Sequence, residues 1–189
     1  MAEGFAGKIA LVTGGAAGIG RVIALTFAQA GATVIIADVD ARGADETVRL
    51  ITATGGAAHA VATDVTSAAA VEALLAHIAA TWGRLDCACN NAGMADNAPW
   101  LDVTEAVWER TLALNLTGVW LCMRAEIRQM LTQGRGTIVN NASIFGLVGV
   151  PHEPGLDRQQ AWRHRAHQVG GGGLRPRGPP DQCGVPRVH

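Results

Sequence analysis

The stretch Thr13-Gly14-Gly15-Ala16-Ala17-Gly18-Ile19-Gly20 decides how this chain is read. It follows directly on Ile9-Ala10-Leu11-Val12, a short apolar run that reads as a strand buried on both faces. After it, Ile19, Ile23 and Phe27 recur every four residues and give one apolar helical face. Gly31 stands where a C-terminal glycine ends such a helix. A strand running through glycines into a helix is the context in which a glycine cluster binds a dinucleotide. Gly14 permits the tight turn, Gly18 lets the backbone approach a pyrophosphate, and Gly20 allows close packing of helix on strand. With Ile19 they form a helix start whose free N–H groups and partial positive charge suit phosphate.

Working outward, β-branched runs alternate with helical stretches, the pattern of βαβ units and a parallel sheet. Strands are expected at residues 9–12, 33–37, 57–62, 85–89 and 137–141. Thr66 or Ser67 is placed to cap a helix reaching Trp82, and Asp102 with Glu105 resembles a capping box for one long helix to about Gln133. Right-handed crossovers then give an α/β fold, a doubly wound parallel sheet of Rossmann-like type with about five strands. Asp38 ends the second strand, 18 residues past Gly20. A carboxylate there accepts ribose hydroxyls and repels a 2′-phosphate, which favours NAD over NADP.

Composition sets the frame. With 189 residues, 49% hydrophobic and 16% charged, the chain has enough apolar material for a sheet covered on both faces. It contains no run of about 18 apolar residues, and residues 1–7 lack the features of a signal peptide. The expected location is therefore the cytoplasm, with no membrane partner. Four cysteines (Cys87, Cys89, Cys122 and Cys183) have no zinc-ligand spacing and read as reduced thiols, so no metal is expected. Trp108 and Trp120 read as core.

At this point the chain resembles a classical short-chain dehydrogenase/reductase over residues 6–151. The glycine segment has that family's G-x-x-x-G-x-G spacing. Asp64-Val65, closing the third strand, is similar to the family pair that contacts adenine. Asn90-Asn91-Ala92-Gly93 is similar to its N-N-A-G segment, which supports the sheet and borders the cofactor, so Asn91, Ala92 and Gly93 join the implied cofactor site. Asn115, in Leu114-Asn115-Leu116-Thr117-Gly118, corresponds to the helix asparagine that holds a water in the proton relay. Ser143 corresponds to the serine that hydrogen-bonds the substrate oxygen. The resemblance implies hydride transfer between NAD and a small secondary alcohol or ketone; the family is usually homo-oligomeric, but the helix that forms its interface is missing from this sequence.

The resemblance then breaks. The family's tyrosine and lysine, a proton donor and the cation that lowers its pKa, correspond to Leu156 and Gln160. The chain has no tyrosine, and its one lysine is Lys8. Composition changes at the same place: residues 1–151 carry nine basic and 13 acidic residues, whereas residues 152–189 carry six arginines and three acids. The tail also holds five of the seven prolines and four of the six histidines, so it is expected to be irregular and disordered.

Reading the tail from the second base of each codon lets Gln159-Gln160 encode Ser or Asn and Gln160-Ala161 encode Lys or Arg. Residues 161–168 then permit His-Gly-Val-Ile-Gly-Leu-Thr-Lys, which resembles the family's catalytic helix. Leu156-Asp157 cannot encode tyrosine this way. A coding-frame slip near residues 152–155 is the reading that accounts for the tail.

The expected activity is NAD(H)-dependent interconversion of a secondary alcohol and a ketone, impaired as written, with a marginally stable, association-prone chain. The alternative is a non-catalytic dinucleotide-binding module. A nucleic-acid-binding tail is disfavoured, because its arginines lack interleaved aromatics beyond Trp162. Residues 94–100 are apolar enough to suggest a small apolar alcohol or ring ketone, with a 3-oxoacyl thioester equally open.

Overall fold

The five apolar runs pair side by side in the order β3-β2-β1-β4-β5, every neighbouring pair parallel. A computed structural model of the chain describes residues 3–95 and 98–143. The strands are β1 (Ile9–Thr13), β2 (Thr33–Asp38), β3 (Ala57–Ala62), β4 (Cys87–Asn90) and β5 (Thr137–Asn140). β1 lies at the centre with all five residues buried, which is why Ile9 to Val12 are uniformly apolar rather than alternating.

Alternate residues of the strands supply two cores. Leu11, Ile35 and Ala37 pack with α3 (Ala68–Trp82) and α5 (Val119–Thr132), through Leu74, Ile78, Leu121 and Ala125. Ala10, Val12, Val34 and Ile36 pack with α1 (Gly18–Gln29) and α2 (Ala41–Ala53), through Ala24, Ala28 and Ile51. Helices thus cover both faces, as the doubly wound expectation requires. Gly31 follows the end of α1 at φ +93°, in the conformation that favours glycine.

Four local expectations are corrected. The buried face of α1 is Gly20, Ala24 and Ala28, not the stripe of Ile19, Ile23 and Phe27. Only small residues let a helix that starts on a tight turn lie this close to the strands; Ile23 and Phe27 flank the core, and Ile19 is exposed. The expected strand at residues 85–89 begins at Cys87. The backbone of Leu85 is instead paired with the Gln133 side chain (Leu85 N to Oε1 3.0 Å, Nε2 to Leu85 O 2.6 Å). Trp120 is half-exposed under the Arg124 guanidinium, 4.6 Å from its ring centroid, rather than in the core. Trp108 is partly buried.

The expected long helix from Asp102 to Gln133 is broken and starts later. Asp102 closes a 3₁₀ turn, Trp100–Asp102, and Thr104 caps α4 (Glu105–Leu112) by accepting from Val107 N at 3.3 Å. Between α4 and α5 lies a π-helical turn, Ala113–Gly118, a geometry that recurs at functional sites. Of the two capping candidates for α3, Ser67 is the cap, accepting from Ala70 N.

Among the described residues, no helix is long and apolar enough to cross a membrane. Cys87, Cys89 and Cys122 are free thiols; burial pushes Cys89 up to about 11 and Cys122 higher. The tail at 152–189, including Cys183, lies outside the described residues.

Candidate functional site

β1 feeds α1 on one face of the sheet, while β4, on the other side of β1, leads toward the opposite face. The chain therefore diverges at the C-terminal ends of β1 and β4, and a crevice opens there. That crevice is a cleft of about 560 Å³. All ten residues expected to contact a cofactor line it: Gly14, Gly18, Ile19, Gly20, Asp38, Asp64, Val65, Asn91, Ala92 and Gly93.

The glycine turn forms its floor. Gly14 sits at φ +68°, and a Cβ there would lie 2.8 Å from Ala92 Cα. A Cβ on Gly20 would overlap the Gly14 carbonyl oxygen and lie 2.6 Å from Asn91 Nδ2, so the helix touches the turn backbone to backbone. Gly18 has nothing within 4 Å of its absent Cβ. The α1 N-cap is Ala17, which has no side chain to cap the first turn. An uncapped helix start thus faces an open cradle, which fits a diphosphate.

The turn is tied down by residues that carried no sequence signal. Arg21 reaches from α1 to the Ala16 carbonyl and donates through Nε to Thr47 Oγ1 at 3.0 Å. The buried Thr47 hydroxyl lies 2.9 Å from the Gly15 carbonyl oxygen, so α2 holds the turn from behind. At the rim, Asp38 accepts from Ala16 N (2.9 Å) and Asp40 N (3.0 Å). Each carboxylate oxygen keeps a further acceptor position. Asp64 accepts from the hydroxyl (2.7 Å) and N–H (2.9 Å) of Thr66, and those bonds hold its carboxyl below the usual range.

The opposite wall is built by asparagines. Asn91 Nδ2 donates to the Thr13 and Gly14 carbonyls at 3.3 and 3.2 Å, and the N–H groups of Asn91 and Ala92 both donate to Thr13 Oγ1 at 3.1 Å. Asn141 donates through Nδ2 to Asn91 Oδ1 at 2.8 Å and also lines the cleft, a role that no motif in the sequence marks.

Asn115 lies in the π-helical turn, fully buried, with its amide bracketing Met94. Its Oδ1 accepts from Met94 N (3.0 Å) and its Nδ2 donates to Met94 O (2.7 Å). The side chain therefore fixes the loop after β4, and its neighbour Leu114 reaches the cleft. Gly118 closes the same turn; a Cβ there would press on Val65 at 3.2 Å. These two anchorages explain the interrupted helix.

Ser143 is partly buried, two residues beyond Asn141. Met94 and Ala95 of the apolar segment line the cleft. Leu156 and Gln160 lie outside the described residues, as do Asp96 and Asn97. Lys8 precedes β1, at the end of the strand remote from the cleft, 3.8 Å from Asp86. Among the described residues, no group of three or more His, Cys, Asp or Glu side chains could hold a metal ion.

The chain is similar to known proteins in sequence and in fold. The chain is 45% identical over 150 residues to cis-4-hydroxycyclohexanecarboxylate dehydrogenase of Sinomonas cyclohexanicum, covering 79% of this chain and 60% of that protein. It is 42% identical over 144 residues to D-threitol dehydrogenase of Mycolicibacterium smegmatis, covering 76% and 55%. The chain thus spans no more than 60% of the length of these relatives. The crystal structure of an NAD+-bound xylitol dehydrogenase superposes with a TM-score of 0.84 at 30% identity, covering 88% of this chain and 64% of that one. The model of the short chain dehydrogenase family matches residues 8–155, over the same strands and glycine turn that enclose the cleft, and the chain belongs to that family.

Proposed function

We propose that the cleft binds NAD(H) and that the activity associated with this chain is interconversion of a secondary alcohol and a ketone. The observation that carries this reading is the uncapped start of α1 facing the open cradle at Gly18, with the Asp38 carboxylate at the rim. The N–H groups at Gly18, Ile19 and Gly20 hold the diphosphate, while the Gly14 N–H is donated to the Ala37 carbonyl at 2.8 Å and fixes the turn; Asp38 accepts the ribose hydroxyls, which disfavours a 2′-phosphate. Asp64 and Val65 border the adenine. Asn91, Ala92 and Gly93 form the wall toward the nicotinamide, which when bound accepts or donates a hydride. Ser143 orients the substrate oxygen, and Asn115 supports the proton path by fixing the Met94 loop. Residues 1–151 form the dinucleotide-binding unit, and residues 152–189 a tail of different character.

The chain has no tyrosine, and Lys8 is at the wrong end of β1, so the family's proton donor and its cationic partner are missing from this sequence. Loss of a general acid costs about 10²–10⁴-fold. This chain therefore binds NADH without efficient turnover. The same missing groups favour, as a second reading, a dinucleotide-binding module without catalysis.

The test is a fluorescence titration with NADH and NADPH, followed by turnover assays with NAD on D-threitol and cis-4-hydroxycyclohexanecarboxylate. Saturable binding with preference for NADH and background turnover is expected. No binding of either cofactor would sink the site assignment, and ready turnover would sink the impaired state.

A further inference from the structure

Beneath the asparagine wall, on the side facing α5, Glu126 is buried, and among the described residues no charged group pairs with it. Its Oε2 accepts from Asn90 Nδ2 at 3.0 Å, and the same Nδ2 donates to Asn140 Oδ1 at 3.0 Å. Both N–H groups of the Asn90 amide are thus used. Two buried atoms of this cluster lack a hydrogen-bond partner among the described residues: Glu126 Oε1 and Asn90 Oδ1. They belong to the two side chains that already share a hydrogen bond. An ionised carboxylate and an amide oxygen are both acceptors, so neither can satisfy the other. A proton on Oε1 would supply the donor that this pair of acceptors lacks, and buried polar groups are rarely left unpaired.

We propose that Glu126 is a neutral carboxylic acid closing a two-bond ring with the Asn90 amide, and that it is a positioning residue for the cleft-facing ends of β4 and β5. The positioning role rests on the reading of the cleft as a dinucleotide site. Asn90 and Asn140 are register partners, and each immediately precedes a cleft residue, Asn91 or Asn141. Those two are bonded to each other, and Asn91 in turn holds the Thr13 and Gly14 carbonyls. A shift of Asn90 against Asn140 therefore moves the wall and the glycine turn together.

The environment agrees. Burial pushes the Glu126 carboxyl up to about 7, and the Asn90 hydrogen bond opposes this only in part. Among the described residues, the titratable groups coupled to it are thiols, Cys89 from β4 and Cys122 from its own helix, and both are pushed up by burial and by the Glu126 charge. β5 presents the neutral Asn140, and the charges where α3 meets α5, Glu72 with Arg124 and Arg128, pair with one another.

The sign follows from linkage. The folded value lies above the unfolded one, about 4.3, so in that window the folded chain holds a proton that the unfolded chain has released. Stability from this group is present at low pH and falls as pH rises to about 7. The slope is about tenfold in the folding equilibrium per pH unit for one linked proton.

The experiment compares the full chain with Glu126→Gln by thermal unfolding from about pH 5 to pH 9, infrared spectroscopy, and NADH titration referred to the folded fraction. Glutamine can accept through Oε1 and donate through Nε2, so it copies the neutral ring at every pH. The wild type should show the tenfold-per-unit decline and a protonated-carboxyl band, with NADH affinity weakening as Glu126 ionises. E126Q should lose that component of the slope, the band and the pH dependence of affinity while remaining folded. Glu126→Leu, which leaves Asn90 unsatisfied, should weaken NADH binding at all pH values.

An unchanged pH slope in E126Q, or no carboxyl band in the wild type, overturns the neutral pair. A pH-independent NADH affinity in the wild type overturns the positioning role. If neither protein binds NADH at any pH, the dinucleotide reading and the positioning role both fail, while the thermal and infrared results still decide the state of Glu126.

Discussion

Two alanine substitutions in the glycine turn should separate packing from binding. In Gly20→Ala the new methyl overlaps the Gly14 carbonyl oxygen and meets Asn91 Nδ2 at 2.6 Å. Neither can give easily: one is backbone, and the other is the amide that holds the Thr13 and Gly14 carbonyls. Retreat of α1 is opposed by Ala24 and Ala28 on the same face, 0% and 8% exposed against the strands. The cost belongs at the upper end for overpacking, about 3 kcal/mol, which in a chain of this size lowers Tm by roughly 6–12 °C.

In Gly18→Ala the methyl meets nothing within 4 Å, and the strain is that of a non-glycine residue at φ +53°. That costs about 1 kcal/mol, or roughly 2–4 °C in Tm. Its methyl enters the cradle, however, so NADH affinity should fall at least about tenfold, equivalent to about 1.4 kcal/mol. Differential scanning calorimetry and NADH fluorescence titration on both variants read the two effects. If G18A is the less stable of the pair, or G20A stays within about 2 °C of wild type, the packing argument is wrong.

Three further substitutions address the rest of the site and the opposite end of the sheet. Asp38→Ala should relax cofactor choice, bringing the NADPH and NADH dissociation constants at least about tenfold closer; an unchanged ratio in paired titrations would show that Asp38 does not face the ribose. Asn115→Ala strands the buried-side contacts of Met94 N and O and should cost about 2 kcal/mol, read by urea unfolding; a neutral result would mean that the Met94 loop holds itself. Asp86 accepts from Ile9 N at 3.0 Å and pairs with Arg84 and Lys8. Burial raises its carboxyl, but the Arg84 and Ile9 hydrogen bonds and the two positive charges outweigh this and hold it below the ordinary value. Its contribution is therefore present above the unfolded value of about 3.9 and lost as pH falls through the folded one. Asp86→Asn should lower stability at neutral pH and flatten the acid limb, and an acid limb identical to wild type in urea unfolding would exclude this.

What the amino-acid order determined by itself was local. The apolar runs at Ile9 and Thr33 became strands because their branched residues suit a doubly covered sheet, those at Ala57 and Thr137 became its half-exposed edges, and the Gly14–Gly20 turn was legible because its glycines sit between a strand and a helix. Ten residues that line the cleft could be named because each belongs to a short motif at a strand end. Tertiary structure decided whatever depended on elements far apart in the chain meeting. The small-residue face of α1 was chosen by how near the helix lies to β1, which the spacing of Ile19, Ile23 and Phe27 does not encode. The π-helical turn is set by Asn115 reaching Met94, 21 residues back, and by Gly118 against Val65. Arg21 with Thr47, Asn91 with Asn141, and Glu126 with Asn90 are pairs 26, 50 and 36 residues apart, brought together only by the strand order and the crossovers. Periodicity reports the direction in which a side chain points; the group that it meets there depends on the three-dimensional path of the rest of the chain.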